Sequence, residues 1–432
     1  MRSLPTVPHL ETALKGPLLA IEQKLLDHKA QIEAWFRCQF RDTPAPFYAS
    51  VDLRNAGFKL APVDTNLFPA GFNNLHPDLQ PLAITAVQHG IERFCAVTDG
   101  VLLIPENHTR NLYYLENICT LAQLINDAGY EVRIASINPD VTVPTAIDLP
   151  SGRPLLLEPI VRQGQRVGVG DFFPCAVLLN NDLSAGIPEC LQGIEQVLLP
   201  PTSLGWHNRT KSQHFTHYRE VAKAFAALIE CDPWFFDPLF TVCDDLDFKT
   251  GDGIDRLVDA SEQLFAQIKQ TYQAHGITQE PYLIIKADAG TYGMGVMSIK
   301  HPEELLKLNK NARKKMTSGK EGTTTQRVLI QEGVYTFETV QDAVAEPVVY
   351  MIDHAVVGGF YRVHTDKTIT DNLNSPGMFF EPLAFADACI QPDNTLNPDD
   401  APNRFYAYGV VARLALVAAA RELAEVSVGK VA

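Results

Sequence analysis

Between residues 100 and 136 the chain spells an apolar triplet, a turn, an amphipathic stretch and a second apolar run, and this order leaves few folds open. Leu102-Leu103-Ile104 reads as a short strand, and Pro105 to Arg110 as a turn able to cap a helix through Asn107 or Thr109. Leu112, Leu115, Ile118, Leu121 and Leu124 then recur at helical spacing. Asp127-Ala128-Gly129 ends that helix, and Tyr130 to Ser136 reads as the next strand. Strands joined by a helix run parallel, because a tight hairpin cannot return the chain in the same direction. Cys175–Leu179 and Gln196–Leu199 repeat the strand signal.

The expected fold class is therefore α/β, with a Rossmann-like N-terminal region. Ahead of it, Leu18, Leu19, Ile21, Leu25, Leu26, Ile32 and Trp35 predict helix over most of the first forty residues. Residues 42–76, dense in Pro, Gly, Asn and Asp, read as too polar and broken for a core element. Pro200-Pro201 marks a boundary. Beyond it the pattern predicts helices from Tyr218 and from Gly253, strands at Tyr282–Lys286 and ending at Gln331, a strand pair at Val348–Ile352 and Ala355–Arg362, and a terminal helix. This second part is expected to be an α+β nucleotide-binding region.

The formal net charge of −15 repels phosphate backbones and anionic membranes, so neither nucleic acid nor a membrane is an expected partner. The N-terminus lacks the unbroken apolar stretch of a signal peptide, and the apolar run at Tyr408–Ala420 contains Arg413 and reads as a buried helix. Eight scattered cysteines with no CxxC predict reduced, mostly buried thiols and a cytoplasmic protein. No sequence feature sets an oligomeric state.

Three segments carry chemistry. In Tyr282-Leu-Ile-Ile-Lys-Ala-Asp-Ala-Gly-Thr-Tyr-Gly-Met-Gly-Val296 a strand ends in Lys286 and meets Gly290, Gly293 and Gly295. Glycines let backbone approach phosphate oxygens while the ammonium offsets their charge. The spacing fits neither a P-loop nor a dinucleotide fingerprint, and an ordinary hairpin with an exposed lysine stands beside the phosphate reading. Leu329-Ile-Gln-Glu-Gly-Val334 suits a nucleotide hinge, with Gln331 at the strand end and Glu332 able to reach a ribose hydroxyl. Gly358-Gly-Phe-Tyr-Arg362 places an arginine where it can steady a transferring phosphoryl group. It is followed by Asn372-Leu-Asn-Ser-Pro-Gly377, whose amides suit Mg2+ or a turn before proline.

In this order, KADAGTYGMGV, VLIQEGV, GGFYRVH and DNLNSPG resemble the working elements of ATP-grasp ligases of the glutathione synthetase type. The whole chain, including DLRNAGFKLAPVDTNLFPAGFNN, resembles the small bacterial glutamate–cysteine ligase family of ATP-grasp type. The resemblance implies that ATP phosphorylates the γ-carboxylate of glutamate and that the cysteine amine attacks the acyl phosphate, the first step of glutathione biosynthesis. It implies an N-terminal substrate domain over 1–205 and ATP-grasp subdomains over 206–335 and 336–432. Lys286 and Arg362 would be catalytic. Lys286, the three glycines, Gln331 and Glu332 would bind ATP. Glutathione synthetases carry a late acid-x-Asn strand that supplies Mg2+ ligands, and none follows DNLNSPG here. Glu346, Asn372, Asn374 and Glu381 are the metal candidates of the right chemical type. A ligase joining other amino acids, and a nucleotide-binding regulatory protein without turnover, are the alternatives.

An amino-acid substrate needs a cation for its carboxylate and an acid for its ammonium. Arg54, Asn55, Lys59, Asp64 and Asn66 offer that set in one run, and the interleaved Phe58, Leu60, Leu67, Phe68 and Phe72 predict a packed loop. Glu106, Asn107 and Arg110 follow a predicted parallel strand, where such sheets place ligands. His214 and His217 have no recognisable third partner for zinc, and Lys211 and Arg219 read as helix-surface charges.

Overall fold

Both ends of the chain build a single sheet. In the computed structural model, which describes residues 19–107, 111–290, 295–317, 325–383 and 405–428, six strands form it. These are β1 (Tyr48–Asn55), β2 (Leu60–Asn66), β15 (Thr339–Val340), β16 (Ala343–Ile352), β17 (Ala355–His364) and β18 (Phe379–Pro382). The order is β18-β17-β16-β1-β2, every neighbouring pair is antiparallel, and β15 also pairs with β16.

Residues 42–76 are thus not outside the core, as their composition predicts. β1 is an inner strand, and all of it but Asp52 is buried. Ala49, Val51 and Leu53 alternate on one face and Ser50, Asp52 and Arg54 on the other. The polar face lines a cleft, which is why the segment reads as loop. The turn into β2 is held by the Asn55 side chain accepting from Gly57 N at 2.9 Å, with Gly57 at φ +83.

The apolar face is covered by the terminal helix α8 (Tyr406–Val428), buried along Tyr406–Ala420 as expected. The N-terminal helices α1 (Ala20–Asp27) and α2 (Lys29–Asp42) pack against it. Arg413 lies inside this layer and donates from both terminal nitrogens to the Glu33 carboxylate at 2.7 Å each. The fork satisfies two charges that could not otherwise stay buried. Among the described residues no helix is long and apolar enough to cross a membrane.

The second sheet has the order β10 (Val197–Leu199), β9 (Ala176–Asn180), β3 (Gly100–Pro105), β4 (Glu131–Ser136), β6 (Pro154–Pro159), β5 (Thr145–Asp148). All but β5 run parallel, matching the mainly parallel sheet predicted from the alternation. Helix α3 (Gln80–Phe94) precedes β3 and α4 (Leu112–Asp127) follows it. Asn111, not Asn107 or Thr109, caps α4 by accepting from Tyr114 N; Thr109 lies outside the described residues. A small ribbon, β7 (Val161–Gln163) with β8 (Arg166–Gly168), extends from this sheet.

The third sheet is antiparallel, in the order β11 (Phe240–Cys243), β14 (Val328–Glu332), β12 (Leu283–Ala287), β13 (Val296–Ile299). It packs on α6 (Ile254–Ala274), and α7 (Lys310–Thr317) lies beside β13. Helix α5 (Lys211–Leu228) leads into this part and packs along α8.

Two expectations change. Cys95 and Cys175 are disulfide-bonded across 80 residues, and Cys38 is exposed, so the thiols are not uniformly reduced and buried. Cys95 caps the end of α3 and Cys175 precedes β9, a proximity created by the sheet order and invisible in the spacing. The contiguous divisions 1–205 and 336–432 also share one sheet, because β1 pairs with β16.

Candidate active site

The polar face of the first sheet looks across a cleft at the third. Strand alternation sets what each contributes. On the first sheet Asp52 lies directly opposite Asp64 in the β1–β2 register, and Glu346 lies opposite Arg362 in the β16–β17 register. On the third, Lys286 ends β12 and Gln331 and Glu332 end β14.

These charges hold one another. Arg362 donates from Nη1 to Asp52 Oδ2 and to Glu346 Oε1, both at 2.7 Å. Arg54 Nε donates to Glu346 Oε2 at 2.9 Å. The rest of the Arg54 guanidinium is also engaged, by Tyr282 OH and by the Val334, Ile369 and Asp371 carbonyls. Lys286 Nζ donates to the Val63 carbonyl at 2.5 Å and to Gln331 Oε1 at 2.8 Å. Lys211 Nζ reaches Asp64 Oδ1 at 2.8 Å. Among the described residues, buried Gln331 Nε2 and Arg362 Nε have no hydrogen-bond partner. Gln331 lines the cleft, so its unpaired amide donor points to an acceptor that arrives with the ligand.

The charges tune one another. Burial lowers the Lys286 ammonium to about 8, Asp64 opposing and Lys211 and Arg54 adding to the shift. Burial works to raise Asp64, but Lys211 and Lys286 outweigh it and hold the carboxyl at about 2. Burial raises Asp52 despite Arg362, whereas Arg54 and Arg362 together overcome burial at Glu346 and lower it. Because Lys286 is charged only below about pH 8, affinity for a polyphosphate should be full below that pH and decline as pH rises through it. Titrating a non-hydrolysable ATP analogue from pH 6.5 to 9.5 checks this. A decline that persists unchanged in Lys286→Arg would assign the titration to another group.

The candidates drawn from sequence divide. Asp64, Lys286, Gly290, Gln331, Glu332, Arg54, Glu346, Asn372 and Asn374 all line the cleft. Lys59 does not: its ammonium is fully buried behind the third sheet, 2.8 Å from Glu332 Oε2 and from the Asp237 carbonyl, over the Trp234 ring. Glu332 also accepts from Trp234 Nε1 and Leu239 N, so its carboxylate is spent inside the lobe. Asn55 and Asn66 form turns, accepting from Gly57 N and Phe68 N. Glu106 accepts from Asp182 N at the end of β3, Asn107 is exposed, and Glu381 sits on β18 opposite Tyr361. Gly293 and Arg110 lie outside the described residues, and Gly295 packs on Ala287.

Sequence reasoning passed over Asp52 and treated Lys211 as surface. Lys211 is instead buried at the first position of α5. A cation at a helix N-terminus works against the macrodipole, and that unfavourable placement was the available signal that it serves an anion.

A profile of the family described as Glutamate-cysteine ligase (GshA) matches residues 22–423. The chain belongs to the glutamate–cysteine ligase family. A solved structure from Methylobacillus flagellatus KT, provisionally named a gamma-glutamylcysteine synthetase, is 56% identical to this ligase. The two superpose with a TM-score of 0.88 over 97% of this chain and 99% of that one. A glutathione synthetase-like effector from Globodera pallida aligns over 85% of the ligase and 84% of its own chain at 10% identity and a TM-score of 0.37, too low to bear on the fold. No curated protein matches the ligase.

Proposed function

We propose that this ligase closes its first and third sheets on ATP as the two jaws of an ATP-grasp fold. The observation that carries the reading is the facing of Lys286 and Lys211 against Asp52 and Glu346 across one cleft, with Arg362 donating to both acids. Residues 206–335 form one jaw. The other combines 336–383 with the β1–β2 hairpin and α8. The parallel sheet fits a Rossmann-like substrate region, since its strands follow the order 3-2-1-4-5 when numbered from β3 with β5 left out.

The reaction joins the γ-carboxylate of glutamate to the amine of cysteine with ATP. A carboxylate oxygen attacks the γ-phosphorus, the bond to the β–γ bridging oxygen breaks, and ADP leaves. The cysteine nitrogen then attacks the acyl carbon, phosphate departs, and the nitrogen loses its proton to give γ-glutamylcysteine. Lys286 and Lys211 meet the phosphate oxygens, exchanging Gln331 and Asp64 for them. Arg362 steadies the charge that develops on the transferred group. Shutting the cleft keeps water from the acyl phosphate.

Mg2+, when bound, would neutralise charge between phosphate oxygens. The donor set fits it. Among the described residues no three His, Cys, Asp or Glu side chains converge into a ready-made metal cage. Mg2+ does not need one, since it takes one or two carboxylates and completes its shell with phosphate and water. Asp52 and Asp64, directly opposite on neighbouring strands, are two like charges that a cation between them would relieve. Asp64-Thr65-Asn66 on β2 has the acid-x-Asn pattern, although the Asn66 amide oxygen already accepts from Phe68 N. Glu346, held by two arginines, is the less available oxygen donor. Asp64→Asn should weaken Mn2+ binding in the presence of ADP by about tenfold or more, read by electron paramagnetic resonance. Unchanged Mn2+ affinity would remove Asp64 from the metal.

The function itself is tested by ADP release from ATP, Mg2+ and glutamate, with and without cysteine, and by mass spectrometry of the product. Cysteine-dependent release with γ-glutamylcysteine formed is the expected result. Turnover only with another amine would change the acceptor, and absence of turnover would overturn the assignment.

A further inference from the structure

Lys211 and Lys286 come from a helix and a strand that are remote in sequence, yet each must meet the same polyphosphate. What fixes one relative to the other is a single residue, Asp288. It lies two positions past Lys286 and is 2% exposed. Its backbone carbonyl accepts from Lys211 N at 2.7 Å, and its amide donates to the Arg327 carbonyl at 3.1 Å. Its carboxylate accepts from Ser212 N through Oδ1 and from Ser212 Oγ through Oδ2, both at 2.7 Å. Arg327 Nε donates to the same Oδ2 at 2.7 Å, and Arg327 Nη1 continues to Asp244.

Thr210 already caps α5 by accepting from Gln213 N, so Asp288 is not needed to start the helix. Its carboxylate instead takes a different first-turn amide and ties it to the strand that carries Lys286. Three charge-assisted bonds to one buried carboxylate restrict both position and angle. Lys211 and Lys286 repel each other, a cost that Asp64 offsets in part and that widens any unrestrained pair. We propose that Asp288 is a positioning residue that sets the separation and aim of the Lys211 and Lys286 ammoniums for the phosphates of ATP. The proposal rests on the nucleotide reading of the cleft. Asp288 touches no phosphate itself and acts through the two lysines.

Asp288→Asn keeps the shape and one acceptor oxygen while removing the charge that holds Arg327 and Ser212. The test compares binding of a non-hydrolysable ATP analogue and of adenosine by calorimetry, with Michaelis constants for ATP and glutamate alongside. The variant should bind the analogue about tenfold more weakly or worse, the scale of one lost charge-assisted hydrogen bond. Adenosine affinity and the glutamate constant should stay within about twofold, because neither senses the ammonium pair. Equal weakening of analogue and adenosine would mean a merely structural role and overturn the proposal, as would an unchanged analogue affinity. If Asp288→Asn does not fold, Ser212→Ala, which removes one of the three anchors, should show the same selectivity at about threefold. A parallel loss there counts equally against it. Failure of the unmodified protein to bind the analogue would instead overturn the nucleotide reading, and this proposal with it.

Discussion

Lys286→Ala is expected to cut ATP-dependent formation of γ-glutamylcysteine by about a thousandfold without lowering the melting temperature. The first half follows from position. Lys286 stands at the end of β12 with its ammonium in the cleft, and its neighbours are groups that a phosphate can replace. The second half follows from the sign of its titration. Burial lowers the ammonium to about 8, below the ordinary lysine range, so the folded state gives up protons that the unfolded chain keeps. The penalty for holding the charge is complete below about pH 8 and disappears as pH rises toward the unfolded value. At pH 7 the alanine variant loses a few interactions and is relieved of that penalty. Calorimetric melting beside the ADP-release assay separates the two effects. Retained activity would remove Lys286 from the mechanism, and a large fall in melting temperature would make it structural.

Arg362→Ala should depress kcat by roughly 100-fold or more while nucleotide affinity changes far less. Here stability should fall too, by about 3–5 kcal/mol, because buried Glu346 and half-buried Asp52 lose the guanidinium between them. The deficit should shrink in acid, where the two carboxylates can take up protons. Arg362→Lys restores one charge but not the planar guanidinium or its second donor to Asp52 Oδ1, so it should recover stability more than rate. A near-normal kcat in Arg362→Ala would exclude the arginine from phosphoryl transfer.

The sequence made the alternation of residues 100–136 readable because strand and helix there each bury one continuous apolar face, and β3, α4 and β4 appear where the pattern puts them. The sequence left Lys286 between a phosphate contact and an exposed hairpin lysine, and the structure buries it on the cleft. The hairpin was not. Half of its residues face a polar cleft, so β1 carries Asp and Arg where an inner strand would ordinarily carry apolar groups, and local pattern cannot distinguish that from a loop. Lys59 was misplaced for a related reason, and Glu332, though it lines the cleft, is its partner. Each is a charge of the right kind at an apt spot in the chain, but they neutralise each other inside the lobe, and only three-dimensional proximity reveals it. The Cys95–Cys175 bond was hidden the same way.

The hairpin also dictates when the site can exist. Arg54 and Glu346 meet across 292 residues, so at typical elongation rates the β1–β2 hairpin leaves the ribosome roughly 15 to 60 seconds before its partner strand is made. Throughout that interval Asp52 and Asp64 have no Arg362 beside them, and the apolar face of β1 has no α8 to cover it. An arrested or truncated nascent chain therefore lacks one of the two proposed jaws, whereas the finished chain gains the Glu346 and Arg362 side of the cleft and its last hydrophobic layer in the same closing step.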